Sequence, residues 1–267
     1  VEMLARELDL QINHGGRIYI LPCIAGHVGA DTAGVILSEE PQQQKAMTLL
    51  VDVGTNAEIV LGDENRLLAC SSPTGPAFEG AQISAGQRAA AGAIERVRID
   101  PDTLVARFKV IGSDLWSDEP GFIEETSKFG VTGICGSGII EVVAEMYLSG
   151  IVTVDGIIDG ELASRSPLVV ADGRTWSYVL YQSDLTENQA PILVTQNDIR
   201  QIQLAKAALY AGVKLLMDKL DIDHVDRIRL AGAFGSHINV QHAMVLGLIP
   251  DCALNQVSSA GLSLLHF

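Results

Sequence analysis

Long apolar runs are missing from this 267-residue chain: none approaches the ~20 residues of a membrane-crossing helix, and no signal peptide opens it. Cysteine is scarce and scattered. Cys23, Cys70, Cys135 and Cys252 stand far apart without a C-x-x-C pair. That argues against a zinc knuckle or a ferredoxin-type cluster and sets reduced thiols in a cytoplasmic protein as the expectation. Basic residues are few: 18 Lys and Arg against 33 Asp and Glu leave a formal charge of −15. The clustered cations that bind a nucleic-acid backbone are therefore lacking. The pattern G-x-x-x-x-G-K-[ST] does not occur, which excludes a P-loop, and Gly133, Gly136 and Gly138 do not have the spacing of the dinucleotide fingerprint. A small phosphate ligand stays compatible with all of this, because backbone amides and Mg²⁺ neutralise phosphate locally.

What is present fits a globular α/β protein: 48% hydrophobic residues, 19% charged and 26 glycines, enough for one large domain or two lobes. The chain begins at Val1 rather than Met and reads as a fragment or processed piece of a longer protein. Residues 16–23 read as a short strand stopped by Pro22, and 24–38 as a tightly packed Gly/Ala helix. Residues 48–72 read as a meander of three strands, and 94–111 as a hairpin turning at Asp100-Pro101-Asp102. The Gly/Ala/Pro-rich stretch 73–92 reads as an ordered loop with a short helix, and the acidic stretch 113–130 as irregular surface. A helix follows Gly133 to Gly138 with Ile139, Val142, Val143 and Met146 as its stripe and Gly150 as its stop. Thr195-x-x-Asp198 is a capping box for a helix running to about Leu220, striped by Ile199, Ile202, Ala205, Leu209, Val213, Leu216 and Leu220. Residues 227–235 read as a buried strand, then a helix capped by Asn239 and ended by Pro250.

The segment LLVDVGTNAEIVLG, residues 49–62, is the most informative. Asp52 stands alone in an apolar strand, where an acid is costly without a partner, and Gly54-Thr55-Asn56 makes a turn able to offer amides and a hydroxyl to an anion. The same residues also make an ordinary hairpin whose Asp52 caps the turn, and the segment alone does not separate the two. Two further glycine-rich turns, 133–138 and 232–235, adjoin regular elements in the same way. His237 and His242 lie five apart with no third ligand spaced to help, so a metal pair is not the expected role. Cys70 and Cys135 read as small buried thiols.

This arrangement resembles the acetate/sugar kinase, heat-shock ATPase and actin superfamily, with residues 52–55 matching its strand–Asp-x-Gly-Thr hairpin and 232–235 its later adenosine turn. The resemblance is closer to the carboxy-terminal ATPase domain of reductive activators of corrinoid proteins. It is carried by LPCIAGHVGAD (21–31), residues 49–62, LACSSPTGPAFEGAQIS (68–84), GICGSGIIEVVAE (133–145), TQNDIRQIQLAKAALYAG (195–212) and LAGAFG (230–235), in the family's order. It implies an actin-like, ribonuclease H-like, two-lobed α/β ATPase domain with mixed sheets flanked by helices. Residues 1–267 would form a single unit with its lobe boundary near 112–132.

By the same resemblance, ATP binding or hydrolysis drives reduction of a Co(II) corrinoid protein to Co(I) in a methyltransferase system. The partners would be that corrinoid protein and a reduced electron donor, with a homodimer possible. The iron–sulfur cluster would sit in a region outside this chain. Asp52 would hold Mg²⁺ through water, and Gly54, Thr55 and Asn56 would contact the β- and γ-phosphates. Gly136, Ser137 and Gly138 would give a second phosphate contact at a helix start, and Gly232, Ala233 and Gly235 would line the adenosine. Glu79 would orient a water or the metal as a second catalytic carboxylate. The tail SSAGLSLLHF departs from the family in lacking a Gly-Asn turn after residue 257. A small-molecule kinase of the same fold and a non-catalytic, nucleotide-dependent partner-binding module are the rival readings.

Overall fold

The computed structural model describes residues 1–182 and 190–260, with every side chain there except those of Ala233, Phe234 and Ser236. The last seven residues of the atypical tail lie outside the described residues. A short hairpin of β1 (Glu2–Leu4) and β2 (Arg17–Tyr19) precedes helix α1 (Ala30–Glu39). The meander follows as β3 (Thr48–Val53), β4 (Ala57–Gly62) and β5 (Leu67–Ser72). Next come β6 (Ala93–Ile99), β7 (Ala106–Val110), the short helix α2 (Phe122–Thr126), β8 (Gly133–Ile134) and helix α3 (Gly136–Leu148). A three-stranded antiparallel sheet of β9 (Val169–Asp172), β10 (Thr175–Tyr181) and β11 (Ile192–Thr195) leads into α4 (Gln196–Leu220). The chain closes with β12 (Arg227–Ala231), α5 (Gly232–His237), α6 (Val240–Val245) and β13 (Val257–Ser259).

The central sheet has the order β13-β12-β3-β4-β5, with β12 and β13 running parallel to β3 and the meander antiparallel. Period-two alternation sends Leu49, Val51 and Val53 of β3 into the core with Ala57, Ile59 and Leu61 of β4. The opposite face of β3 carries Asp52, directly across from Glu58. Helix α4 covers the core face. Six of its seven expected stripe residues are buried, Leu220 is half-buried, and Met217 joins them. Fully burying each large side chain of such a stripe stabilises the fold by about 1.5–3 kcal/mol. The capping box forms as expected: Thr195 Oγ1 accepts from the Asp198 N–H and Asp198 from the Thr195 N–H. Asp198, 1% exposed, also accepts from the N–H and hydroxyl of Ser84, so the helix start anchors the loop after β5.

Several element boundaries differ from the sequence reading: the strand read over 227–235 stops at Ala231, where Gly232 at φ +75° turns the chain into α5. The first helix begins only at Ala30, because residues 24–28 form a tight turn in which Ile24 and Ala25 both donate to the Val28 carbonyl. Gly26 in that turn and Gly29 just after it make helix unfavourable. At the other end, α6 stops at Val245, and Gly247 at φ +67° turns the chain before Pro250 is reached. The stretch 113–130 is not irregular throughout, since it holds α2 with Phe122 and Thr126 buried. Residues 112–132 connect β7 to β8, which flank β6 in one small sheet. No helix among the described residues is long and apolar enough to cross a membrane.

Candidate functional site

Asp52, next to last in β3, lies beside Ala231, the last residue of β12, so the turn from β12 into α5 passes directly over its carboxylate. Gly232 makes this approach with φ +75°, and a Cβ there would lie 2.6 Å from Asp52 Oδ1. Only glycine meets both demands. Burial holds the Asp52 carboxyl above its usual range, reinforced by the negative charges of Glu58 and Asp31. A carboxylate kept in so unfavourable a place, with no ion-pair partner among the described residues, is suited to receive a cation.

The β3–β4 turn is held rigidly. The Gly54 N–H donates to the Asn56 carbonyl (2.9 Å) and the Gly75 N–H to the Thr55 carbonyl (2.9 Å), while the Thr74 hydroxyl bonds to the Gly54 carbonyl (3.0 Å). The Gly54 amide is thus used inside the turn. What Gly54 offers a ligand is open space, since a Cβ there would meet nothing closer than 3.6 Å. At the tip, the Thr55 hydroxyl donates to Glu79 Oε1 at 2.9 Å, joining the turn to the 3₁₀ turn Pro76–Glu79.

Helix α3 points its N-terminus at the same place. Gly136 packs so tightly on that 3₁₀ turn that a Cβ would lie 2.1 Å from the Phe78 carbonyl oxygen. We expect Gly136→Ala to destabilise the protein by about 1–3 kcal/mol in chemical denaturation, although Ala is worth up to about 1 kcal/mol over Gly inside a helix. Equal or greater stability would show that the contact relaxes freely.

These elements enclose a cavity of about 680 Å³ lined by Asp52, Gly54, Glu79, Gly136, Ser137 and Gly232. Three turns far apart in sequence are therefore brought together. Thr55 reaches the wall through Glu79, whereas Asn56, Gly138 and Gly235 are not among the lining residues. Gly138 and Gly235 serve packing: a Cβ would lie 2.1 Å from the Ile94 oxygen at the first and 2.5 Å from the Leu230 carbonyl at the second. Ala233 belongs to α5, and its side chain lies outside the described residues. The helix N-terminus and open glycine surfaces suit an anion, while the carboxylates suit a hard cation bound with it. No trio of His, Cys, Asp or Glu among the described residues is gathered to hold a metal. That donor set fits Mg²⁺, which keeps several waters and binds through one or two carboxylates plus substrate phosphates.

Arg88 and Glu95 also line the cavity and were not singled out by motif, and His237, weighed in the sequence only for a metal pair, lines it as well. Glu95 left one trace in the sequence: Ile94, Val97 and Ile99 break the strand alternation just there. His242, five residues beyond His237, is buried instead, with Nε2 2.8 Å from Glu145 Oε1. Its surroundings are an ion-pair cluster under β6. Glu141 accepts from Arg96 (2.8 Å), Arg98 (2.6 Å) and the Val97 N–H (3.0 Å), and Glu145 accepts from the Ile99 N–H (3.0 Å). Burial pushes the Glu145 carboxyl up, but the His242 and Ile99 hydrogen bonds and the charges of His242 and Arg98 outweigh it and hold it below the usual range. Arg96 also donates to the His237 carbonyl (3.1 Å), tying this cluster to α5 and the cavity wall.

Comparison with known proteins gives a consistent picture. Residues 46–266 match the family model described as the C-terminal domain of RACo, the ASKHA domain. A corrinoid activation enzyme of Eubacterium limosum, RamQ, is 33% identical over 268 residues, covering 98% of this chain and 42% of the relative. A [Co(II) methylated amine-specific corrinoid protein] reductase of Methanosarcina barkeri is 27% identical over 257 residues, covering 92% and 43%. A solved structure of a reductive activator for corrinoid, iron-sulfur protein superposes with a TM-score of 0.78 at 33% identity, over 97% of this chain and 39% of that one. The chain thus spans about two-fifths of the length of the relatives it matches.

Proposed function

Because the chain belongs to the family of the C-terminal ASKHA domain of RACo, we propose that its cavity binds and hydrolyses ATP to drive reduction of a corrinoid protein from Co(II) to Co(I). The observation that carries this reading is the convergence of Asp52, the Gly54-Thr55 turn and the N-terminus of α3 on one cavity of about 680 Å³. The α3 N-terminus and Ser137 would bind the phosphate chain, with Arg88 adding positive charge. Asp52 and Glu79 would hold Mg²⁺ through its water shell, and the ion when bound supplies charge neutralisation along the phosphates. Gly232, in the cavity wall against Asp52, would line the adenosine.

The electron chemistry belongs to another part of the protein. The four cysteines are all free in the described structure, with Cys70 and Cys135 bonded to the carbonyls of Gly212 and Ile94. A reduced donor and an iron–sulfur region outside these residues would pass the electron, and the corrinoid protein would be the partner that receives it. The names of the relatives support this reading, since they describe proteins that activate or reduce corrinoid proteins.

Isothermal titration of this chain with ATP in Mg²⁺ buffer should show saturable binding with a dissociation constant between ~1 μM and ~1 mM, the range of ordinary enzyme substrates. Absence of binding across that range would remove the nucleotide reading. Phosphate transfer to an added small-molecule acceptor in preference to water would favour a kinase instead.

A further inference from the structure

The carboxylate that neither the motif nor the metal reading uses is Glu95. In β6 the pairing with β7 joins Ile94 to Val110 and Arg96 to Lys109, so Glu95 is the extra residue of a β-bulge. The bulge changes the parity of the strand. Ile94 lies in the core, and so do Val97 and Ile99 beyond it, positions that a regular strand would place on opposite faces. Arg96 and Arg98 turn the other way, to Glu141. Glu95 is left between the two faces, half-buried, in the wall of the cavity that also holds Asp52 and the start of α3.

The other two carboxylates of that wall have other engagements. Asp52 sits under Gly232 near the end of β3, and Glu79 accepts the Thr55 hydroxyl. Glu95 accepts no hydrogen bond from any group among the described residues, which leaves its oxygens open to water. Bulges re-aim a side chain at the cost of a broken ladder, and here the re-aimed group is an acceptor-only anion facing a proposed phosphate site.

We propose that Glu95 is the general base of the site, positioning and deprotonating the water that attacks the γ-phosphorus; this rests on ATP being the ligand of the cavity. The water oxygen forms a bond to phosphorus as its proton passes to the Glu95 carboxylate. The bond from the γ-phosphorus to the β,γ-bridging oxygen breaks, and its electron pair leaves with ADP. The proton on Glu95 then returns to solvent or to the released phosphate, so no further reactant is consumed.

The test compares this chain with its Glu95→Gln and Glu95→Asp variants, each checked for an unchanged thermal melt, in ATP·Mg²⁺ titration and phosphate-release assays. Glu95→Gln keeps the shape of the side chain but cannot accept the proton. Its turnover should fall by about 100-fold or more while ATP·Mg²⁺ affinity stays within about threefold of the parent. Glu95→Asp retains a carboxylate one methylene back and should keep a larger fraction of turnover than Gln. Glu95→Gln hydrolysing ATP within about threefold of the parent overturns the assignment, and so does parallel loss of affinity and melting temperature, the mark of a structural role. A parent chain that binds ATP but does not hydrolyse it also overturns the assignment while leaving the binding reading intact. A parent chain that does not bind ATP overturns both.

Discussion

Replacing Asp52 with asparagine is expected to weaken ATP·Mg²⁺ binding by at least about 100-fold and to raise the melting temperature at pH 7. The two effects share one cause. The carboxylate is half-buried against Gly232, opposite Glu58 on β4 and within the field of Asp31 on α1. Burial first, then those two charges, raise its pKa in the folded protein. The unfolded chain therefore releases this proton at a lower pH than the folded one does. The group favours the fold most in acid, and that contribution is lost as pH rises through the folded pKa, so at pH 7 the ionised Asp52 works against folding. Asparagine removes the charge and with it the penalty, but it cannot supply the anionic oxygen that hydrated Mg²⁺ requires. Calorimetry at pH 7 and titration with ATP·Mg²⁺ read the two halves separately. Unchanged affinity would take Asp52 out of the site. A lower melting temperature would mean that its carboxylate has a stabilising partner that outweighs burial. Stability and binding moving in opposite directions is the signature of a residue retained for function.

The sequence was most legible where local chemistry and long-range packing agree. Thr195 and Asp198 cap α4 because a capping box is a local device, and the α4 stripe lies buried because a 25-residue amphipathic helix has one way to face the sheet. The meander was equally plain from alternation and turns. Asp52 could be named as a candidate, since an acid in an apolar strand demands a reason, yet nothing local separated a phosphate site from a capped hairpin. That difference lies in Gly232 and Gly136, whose need for glycine comes from the Asp52 carboxylate and the Phe78 carbonyl brought against them from distant parts of the chain. Gly138 and Gly235 show the converse: glycines inside phosphate-like motifs that pack against the Ile94 and Leu230 carbonyls. The first helix was read too long because small apolar residues at helical spacing also suit a tight turn. Glu141 and Glu145 went unremarked because a stripe of apolar residues draws attention away from the acids within it.

Those two glutamates carry the largest expected loss of stability. Strand β6 pairs with β8 only through Ala93 and Ile94, so beyond that point its edge faces α3 with N–H groups to satisfy. Glu141 and Glu145 stand one turn apart, about 6 Å along the helix, while Val97 and Ile99 stand two residues apart, about 6.8 Å along the strand. The near match lets each carboxylate accept one strand N–H at 3.0 Å, so the helix side chains stand in for a missing strand. Glu141 is fully buried and also holds Arg96 and Arg98. Glu141→Ala leaves the Val97 N–H without its acceptor and removes the counter-charge of Arg96 and the nearer one of Arg98, which keeps Glu145 at 3.9 Å. Breaking a buried pair costs about 3–5 kcal/mol, and because both arginines are about a third exposed (35% and 37%) and regain some hydration, the lower end applies. At about 2–4 °C per kcal/mol for a chain of this size, the melting temperature should fall by about 6–12 °C. Glu141→Gln, which keeps an acceptor for Val97, should lose less, separating the N–H from the charges. A loss below about 1 kcal/mol for Ala would show that water replaces the carboxylate at the strand edge. Because Arg96 also holds the His237 carbonyl, Ala should loosen α5 over Asp52 as well and weaken ATP binding, an effect that a purely local cavity would not transmit.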